Sequence, residues 1–345
     1  MIRNSPWWNR DRHADRRPFL IARGRIKAAI RAWFESEGFI EVEPQCLQVS
    51  PGNEAHLHAL ATDVVGPDLS VKRRYLHTSP EFAMKKLLAA GEEKIFAFTP
   101  CFRNREHGPL HATEFTMLEW YRVGASYEMV MDDAAHLLRL ACATTGQRLV
   151  SWRGSVAVPK GAADRLTVAE AFSRFAGIDL LATLTEGEPD REALAEQVRS
   201  QGLNVRPDDS WSDLFARVLA AKIEPKLGVG QPQLLTEYPA VEAALARRTD
   251  ADRRVAERFE LYCCGIELAN GFGELTDAVQ QRANLESQMA LKEAIYAERY
   301  PIDEDFLAAL AEMPAASGCA LGFDRLVMLA AGATHIEQVL WTGAA

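Results

Sequence analysis

"CFRNREHGPLHATEFTMLEWYR", residues 101–122, is the stretch that decides the fold, because it joins two alternating patterns. The alternation in "KIFAFTPCFR" places five side chains on one face of a strand: Ile95, Ala97, Thr99, Cys101 and Arg103. In "TEFTMLEWY" it places four others together: Phe115, Met117, Glu119 and Tyr121. The pattern therefore predicts two antiparallel strands joined by the loop 104–112.

These two faces carry polar groups among apolar ones. If they line a cleft, it holds a cation at Arg103, an aromatic plate at Phe115 and an acid beside a phenol at Glu119 and Tyr121. Such groups suit a phosphate, a flat base and an ammonium group. A glutamate on an apolar strand face is also commonly half exposed or paired with an arginine. The hairpin alone leaves both interpretations open.

A second stretch, "LHTSPEFAMKKLLAAG" (76–91), predicts a turn at Ser79 and Pro80 followed by a helix that Glu81 opens. The helix dipole favours a carboxylate at that position and leaves it free to meet an amine. Ordinary capping chemistry explains the same pattern.

Two further stretches combine acids, glycines and an arginine. In "GIELANGFGELTD" (265–277), Glu267 and Glu274 lie seven residues apart around Asn270. They suit Mg²⁺ or an ammonium group, although a solvated strand end explains them too. "SGCALGFDRLVMLAAG" (317–332) runs from strand to helix. There Gly322 permits close backbone approach, Arg325 falls in the first helical turn, and the core side follows with Leu326, Val327, Leu329 and Ala330.

The remaining chain reads as helices and short strands. Residues 1–18 carry five arginines and two tryptophans without helical periodicity, which predicts an extended arm. Both a basic contact surface and a packed or frayed terminus remain open for it. An amphipathic helix is predicted over 19–37 from Ile26, Ile30, Trp33 and Phe34, with Gly38 ending it and "FIEVE" following as a strand. Further helices are predicted over 126–146 and 210–223, with an inserted helical piece over 184–205.

Composition limits the function. The 345 residues, 48% of them apolar, can bury a core as one large domain or one domain with a small appendage. We expect a cytoplasmic protein, because no stretch has the length of a membrane span or a signal peptide. The six cysteines contain no C-x-x-C pair and are expected to be reduced core residues. A net charge of -9 argues against a protein that wraps much nucleic acid.

Taken together and in this order, the stretches resemble class II aminoacyl-tRNA synthetase catalytic domains. "CFRN…EFTMLEWYR" looks like motif 2, "GCALGFDRLVML" like motif 3, and the helix before "GFIEVEP" like motif 1. "TSPEFAMKKLL" and "GIELANGFGELTD" look like the lysyl branch. The resemblance implies an α+β fold with a mainly antiparallel six-stranded sheet flanked by helices, and a homodimer formed through motif 1. The catalytic domain is expected over 19–345, after the arm 1–18, without an anticodon-binding OB-fold.

Because the anticodon-binding domain is expected to be missing and the net charge is acidic, the chain resembles a shortened relative of the lysyl enzymes that modifies a protein instead of tRNA. The resemblance then implies ATP and Mg²⁺ as cofactors, (R)-β-lysine as the small substrate, and a lysine of elongation factor P as the acceptor. A tRNA-charging enzyme helped in trans and a non-catalytic lysine-binding regulatory module are the alternatives. Arg103 and Arg325 argue against the second alternative, since both are intact.

The resemblance also implies roles for individual residues. Arg103 would hold the substrate carboxylate and the α-phosphate, and Arg325 the far phosphates. The nucleotide would be bordered by Asn104, Arg105, His111, Ala112, Phe115, Glu267, Leu268 and Gly322. The amino acid would be bordered by Ser79, Glu81, Glu119, Tyr121, Asn270, Glu274 and Ala320. Glu267 and Glu274 would help to hold Mg²⁺ through ATP.

Motif 2 departs from the family pattern at three positions. Ala112 and Thr113 replace an Asn-Pro pair, and Arg105 stands where lysyl enzymes often have glutamate, so that Glu106 becomes a possible substitute for adenine recognition. In motif 3, Ala320 replaces a typical glycine. We expect its methyl group to disfavour α-lysine, although simple packing against the strand would also account for it.

Overall fold

The quoted hairpin lies inside the main sheet, and the other elements build outward from it. The computed structural model describes residues 6–185 and 188–343. In those ranges the α-helices are α1 (Arg10–Ser36), α2 (Glu81–Ala89), α3 (Tyr127–Thr145), α4 (Val168–Ala176), α5 (Arg191–Ser200), α6 (Trp211–Val218), α7 (Ala278–Tyr296), α8 (Glu304–Glu312) and α9 (Phe323–Ala331). The strands are β1 (Ile40–Glu41), β2 (Leu47–Gln48), β3 (Leu60–Val65), β4 (Val71–Leu76), β5 (Lys94–Phe102), β6 (Glu114–Val123), β7 (Val150–Trp152), β8 (Ser155–Ala157), β9 (Asp164–Thr167), β10 (Leu184–Thr185), β11 (Glu188–Pro189), β12 (Gln233–Pro239), β13 (Val255–Cys263), β14 (Ile266–Gly273) and β15 (Ala316–Gly322).

The main sheet has eight strands in the order β1-β5-β6-β15-β14-β13-β12-β9. The six strands from β5 to β12 pair antiparallel, while β1 and β9 pair parallel at the two edges. The expected α+β class and mainly antiparallel sheet are confirmed, but the sheet is larger than the six strands expected. The "FIEVE" strand is reduced to Ile40–Glu41, because only that part pairs with β5.

The two faces of the main sheet have different roles. Helices α1, α3 and α9 cover one face with a large apolar core that includes Phe34, Phe96 and Trp120. On the opposite face of β5 and β6, Ile95, Ala97 and Tyr121 pack toward α2 and α8 in a smaller core. This second face leaves space over the sheet centre, where the cleft described below is formed.

Helix α1 confirms the predicted helix at its C-terminal end but begins earlier. It starts at Arg10, where the Asn9 side chain accepts hydrogen bonds from the backbone N–H groups of Asp11 and Arg12, both at 3.1 Å. The extended arm is therefore wrong from Arg10 onward, and residues 1–5 lie outside the described ranges. Arg16 is buried and donates to the carbonyl oxygen of Leu340. This contact joins the N-terminal half of α1 to a distant part of the chain.

The other predicted helices are confirmed. Residues 126–146 form α3, residues 210–223 form α6 and a π turn, and the 184–205 segment contains α5. Helices α4, α5 and α6 build a separate apolar core with parts of β12 and β13. The predicted segment 184–205 therefore belongs to a unit with its own apolar core, and its being an insertion stays a prediction.

The cysteines behave as expected for reduced residues. All six are free, and only Cys46 is incompletely buried. In the part of the chain that the structure describes, none of the helices combines the length and apolarity needed to cross a membrane.

Candidate active site

A central cleft of about 290 Å³ lies over β6, β14 and β15. Most residues singled out from the sequence line it, although they come from distant parts of the chain. They are Ser79, Glu81, Arg103, His111, Ala112, Phe115, Glu267, Leu268, Asn270, Ala320, Gly322 and Arg325. Glu106, the suggested substitute in motif 2, also lines this cleft. The antiparallel sheet thus brings the separate motifs to one surface.

The two predicted strands are antiparallel neighbours, and their register brings the two predicted faces together. Ala97 lies opposite Glu119, Thr99 opposite Met117, and Cys101 opposite Phe115. Beyond the paired region, the Arg103 guanidinium lies 5.3 Å from the centre of the Phe115 ring, and its Nε donates to the Thr78 carbonyl oxygen at 3.3 Å. The cation and the aromatic plate are therefore neighbours at one end of the cleft.

Arg325 ties the hairpin loop to β14. Its Nη1 donates to the Glu267 carbonyl oxygen at 3.0 Å, and its Nε donates to the Leu110 carbonyl oxygen at 3.3 Å. Its Nη2 lies 2.7 Å from Nε2 of His111. Burial and the Arg325 charge lower the pKa of His111, so the ring is neutral and can accept this bond. A Cβ on Gly322 would make ordinary contact, at 3.6 Å or more, with the aliphatic part of the Arg325 side chain, so protein packing alone does not require glycine here.

The opposite end of the cleft is acidic. We call Glu81, Glu119 and Glu274 the acid pocket. Lys85 Nζ lies between two of its members, 2.6 Å from Glu81 Oε1 and 2.7 Å from Glu274 Oε2. Burial opposes the Lys85 charge, but Glu274 and Glu81 outweigh it and raise the pKa of Lys85. Two of the three carboxyl groups thus share one ammonium group of the protein itself.

Glu119 is held from two sides and is almost fully buried. Ser79 Oγ donates to its Oε2 at 2.7 Å, and the Tyr121 hydroxyl donates to its Oε1 at 2.6 Å. Burial, with a contribution from the Glu81 charge, raises the pKa of Glu119 to about 8. Glu81 lines the central cleft directly. Three other residues of the predicted site are buried just beneath the cleft surface: Glu119, Tyr121 and Glu274.

Gly318 makes this packing possible. A Cβ at this position of β15 would lie 2.3 Å from the Tyr121 ring and 2.7 Å from Glu274 Oε1. Heavy atoms do not approach so closely, so only glycine allows the phenol and the carboxylate to meet the strand here.

The two acids expected to help to hold Mg²⁺, Glu267 and Glu274, have different neighbours. Glu274 forms an ion pair with Lys85, whereas the negative charge of Glu260 on β13 acts on the pKa of Glu267. Glu260 accepts hydrogen bonds from Arg258 Nη2 at 2.7 Å and from the Tyr262 hydroxyl at 2.6 Å. Desolvation by the cleft walls and the Glu260 charge raise the pKa of Glu267 to about 7. That Glu274 shares a cation with Glu267 stays a prediction, and Glu260 is a further acid that lines the cleft with Glu267.

Sequence reasoning missed two groups of cleft residues. Glu260 and Arg258 belong to "ERFELY", where charged side chains alternate with apolar ones, a pattern that the prediction did not use. Glu54 and Leu57 come from a loop with no recognisable motif. Only the pairing of β13 with β14, and the packing of α7 beside that loop, bring them to the site.

Asn104 and Arg105 were expected to border the nucleotide, but they do not line the central cleft. The backbone N–H of Asn104 donates to the His58 carbonyl oxygen at 2.6 Å, and Arg105 Nη1 lies 3.4 Å from His58 Nε2. The Arg105 guanidinium also lies 5.6 Å from the centre of the Tyr296 ring. These residues join the hairpin loop to the 54–58 loop, so their role in the structure is to position the cleft wall.

The site can hold a cation only with help from a ligand. Across residues 6–185 and 188–343, no group of three or more His, Cys, Asp or Glu side chains is arranged to bind a metal ion. Magnesium commonly uses one or two protein carboxylates together with substrate phosphates. Glu260 and Glu267 fit that donor set.

Comparisons with known proteins agree with this geometry. A family model described as "tRNA synthetases class II (D, K and N)" matches residues 4–342. An elongation factor P--(R)-beta-lysine ligase of Vibrio cholerae is 38% identical over 325 residues, which is 93% of each chain. The Proteus mirabilis protein of the same name is also 38% identical over 93% of each chain. A third, from Haemophilus ducreyi, is 36% identical over 94% of this chain and 93% of its own.

Proposed function

Because the chain belongs to the class II tRNA synthetase family of the D, K and N type, we propose that it is an ATP-dependent ligase that activates (R)-β-lysine and transfers it to a lysine of elongation factor P. The observation that carries this proposal is one cleft with arginines at one end and an acid pocket at the other. A substrate with a carboxylate at one end and ammonium groups toward the other matches that distribution of charge.

The carboxylate end of the substrate belongs beside Arg103. A guanidinium can bind a carboxylate and a phosphate oxygen with parallel hydrogen bonds, so Arg103 can hold the two reacting groups together. Phe115, directly below this guanidinium, offers a surface for the adenine ring. Arg325 and neutral His111 border the same end and suit the outer phosphates.

The amine end belongs at the acid pocket. Ser79 and Glu81 are placed for the amino group nearer the carboxylate, and Glu119, Tyr121 and Glu274 for the side-chain ammonium. The pocket is prepared for added positive charge, because burial and mutual repulsion raise the pKa values of Glu119 and Glu274. An ammonium ligand would lower both pKa values and favour their ionised forms.

The reaction needs two steps. First, a carboxylate oxygen attacks the α-phosphorus of ATP, giving an acyl-adenylate and pyrophosphate. Second, a protein amine attacks the acyl carbonyl, giving an amide and AMP. Positioning and charge stabilisation by Arg103 and Arg325 account for the first step without a nucleophilic side chain. Glu260 and Glu267 would hold a magnesium ion, which when bound neutralises phosphate charge.

Mass spectrometry of elongation factor P tests the proposal. The purified factor is incubated with this protein, ATP and either lysine isomer, in parallel with ATP–pyrophosphate exchange that needs no acceptor. We expect exchange, and a mass increase on elongation factor P that is larger with (R)-β-lysine. Exchange without any change in elongation factor P would contradict the proposed acceptor. Absence of exchange with both isomers would contradict the proposed activation step.

A further inference from the structure

A side cavity of about 260 Å³ adjoins the central cleft, several times the roughly 30 Å³ that a water molecule occupies in the liquid. Its walls come from the 54–57 loop, from the segment 241–245, and from Ser212 of α6 and Leu291 of α7. Glu54, Leu57, Arg258, Asn270 and Phe272 border both spaces, so the two adjoin along this boundary. The roles proposed for ATP and the amino acid do not use this cavity.

Glu54 stands out at that boundary. Its side chain lies inside the cleft and borders both spaces, and no hydrogen bond or ion pair joins its carboxylate to any other residue that the structure describes. Most other acids of the cleft have a partner, since Glu81 binds Lys85, Glu260 binds Arg258, and Glu267 lies near Arg325. Glu106 also lines the cleft without a carboxylate partner within the described ranges, and it lies on the nucleotide side.

The backbone around Glu54 is firmly held. Lys292 is fully buried and donates to the carbonyl oxygens of Ala55 at 3.0 Å and Leu57 at 2.7 Å. Gln288 accepts a bond from the Ala55 backbone N–H at 3.1 Å. Asn53, on the other side, donates to the Pro301 carbonyl oxygen at 3.3 Å. A free carboxylate is thus presented on a fixed loop, as expected for a group that acts on a ligand.

The side cavity also suits a cation. Besides Glu54 it exposes Glu242, whose carboxylate accepts a bond from Ser212. The guanidinium of Arg258 is already bound to Glu260 and to the Glu242 carbonyl oxygen. A lysine side chain entering here would meet two acids and then reach the Arg103 side of the cleft.

Building on the proposed function, we infer that the side cavity admits the acceptor lysine and that Glu54 removes a proton from its ammonium group. The Glu54 carboxylate accepts one proton, and the neutral amine then forms a C–N bond with the acyl carbonyl of the adenylate. The bond between the acyl carbon and the phosphate oxygen breaks, and the second amine proton moves to the departing phosphate. The products are the amide and AMP, and Glu54 returns its proton to water.

Glu54→Gln tests this step when two nucleophiles are compared on preformed adenylate. Hydroxylamine is largely unprotonated near neutral pH and needs no base, whereas a lysine amine does. We expect the transfer rate to the protein to fall about 100-fold relative to hydroxylamine capture, a typical contribution of a general base. Glu114→Gln, at the exposed start of β6, is the control, and it should leave that ratio unchanged. An unchanged ratio in Glu54→Gln would overturn the inference.

Access is tested separately with Ala244→Leu, which places a larger side chain in the side cavity. Transfer to the protein should fall while hydroxylamine capture continues, and an equal effect on both would overturn the entry path.

If the wild type shows no pyrophosphate exchange, the proposed function fails and this inference fails with it. Exchange together with an unchanged transfer ratio overturns this inference alone.

The pH dependence of transfer gives an independent test when the wild type is compared with Glu54→Gln. Desolvation by the cleft walls raises the pKa of Glu54, which faces Arg103, Glu81, Arg258 and Glu106. A base acts only when ionised, and the acceptor lysine loses its neutral form equally with both proteins, so the wild-type transfer rate divided by the Glu54→Gln rate should fall as pH decreases through that raised pKa. A rate ratio that does not change with pH would contradict the role of Glu54.

Discussion

At the scale of single residues, Glu119 provides the sharpest test of the acid pocket. Glu119→Gln keeps the shape but replaces a carboxylate by a neutral amide, which loses a charge-assisted bond worth roughly 1.5–3 kcal/mol. We expect the apparent KM for lysine in pyrophosphate exchange to rise roughly ten- to hundredfold. Glu114→Gln, on the exposed start of the same strand, is the control. Unchanged lysine dependence in a folded Glu119→Gln variant would make Glu119 a structural residue.

The titration of Glu119 gives a second prediction. Its pKa of about 8 means that the empty site holds a proton at neutral pH, and binding of an ammonium group requires the ionised form. Amino acid affinity should therefore increase as pH rises from 6 to 8, with proton release on binding that shrinks in Glu119→Gln. Calorimetry in two buffers with different ionisation enthalpies measures the protons released. Equal proton release in the wild type and the variant would contradict the assignment.

Ala320 supports a third prediction about isomer choice. It lies between Asn270 and Glu119 in the sheet register and lines the central cleft, where a methyl group can contact the substrate. A methyl in a fitted pocket contributes about 1–3 kcal/mol, so Ala320→Gly should raise the relative use of α-lysine by roughly ten- to two-hundredfold. Pyrophosphate exchange with both isomers measures the ratio. If the ratio stays constant, Ala320 serves packing, and Ser79 and Glu81 become the candidates for isomer selection.

At the scale of elements, α7 stabilises the loop that carries Glu54. Lys292→Met removes the donor for the carbonyl oxygens of Ala55 and Leu57, and each unsatisfied buried group costs about 1–3 kcal/mol. We expect a lower Tm and faster amide hydrogen exchange over 53–59. Lys72→Met on exposed β4 is the control and should change neither. Unchanged exchange in the loop would show that other contacts hold it.

Local sequence patterns predicted some elements and site residues but not others. The antiparallel pair β5–β6, α3 and the α9 arginine follow from local periodicity, so they could be inferred from neighbouring residues. The position of Glu260 beside Glu267 could not be inferred, because it depends on the pairing of two strands. The position of Glu54 depends on a helix more than 200 residues away in sequence, and Arg16 of α1 contacts Leu340 near the other end of the chain. Long-range packing, which has no local pattern, determined the parts that were missed.

At the scale of the whole molecule, charge favours a protein acceptor over tRNA. The net charge of -9 disfavours the phosphate contacts on which nucleic acid affinity depends. We expect little or no transfer of lysine to tRNA at physiological salt under conditions that modify elongation factor P. Acid-precipitable radioactivity from labelled lysine on each acceptor checks this. Robust charging of tRNA would favour the alternative of a tRNA-charging enzyme.

Because Lys85 supplies only one positive charge, the choice of substrate depends on how many negative charges of the acid pocket the ligand can neutralise. If all three carboxyl groups of the acid pocket were ionised, the ammonium of Lys85 would leave two negative charges in excess. Lysine isomers bring two amino groups, which can cancel both charges and so favour the ionised forms. With a single amine, one buried carboxyl group would keep its proton, and the ligand would form one charge-assisted bond fewer. The enzyme can therefore bind amino acids with one amine more weakly than lysine isomers through charge alone, without excluding them by size.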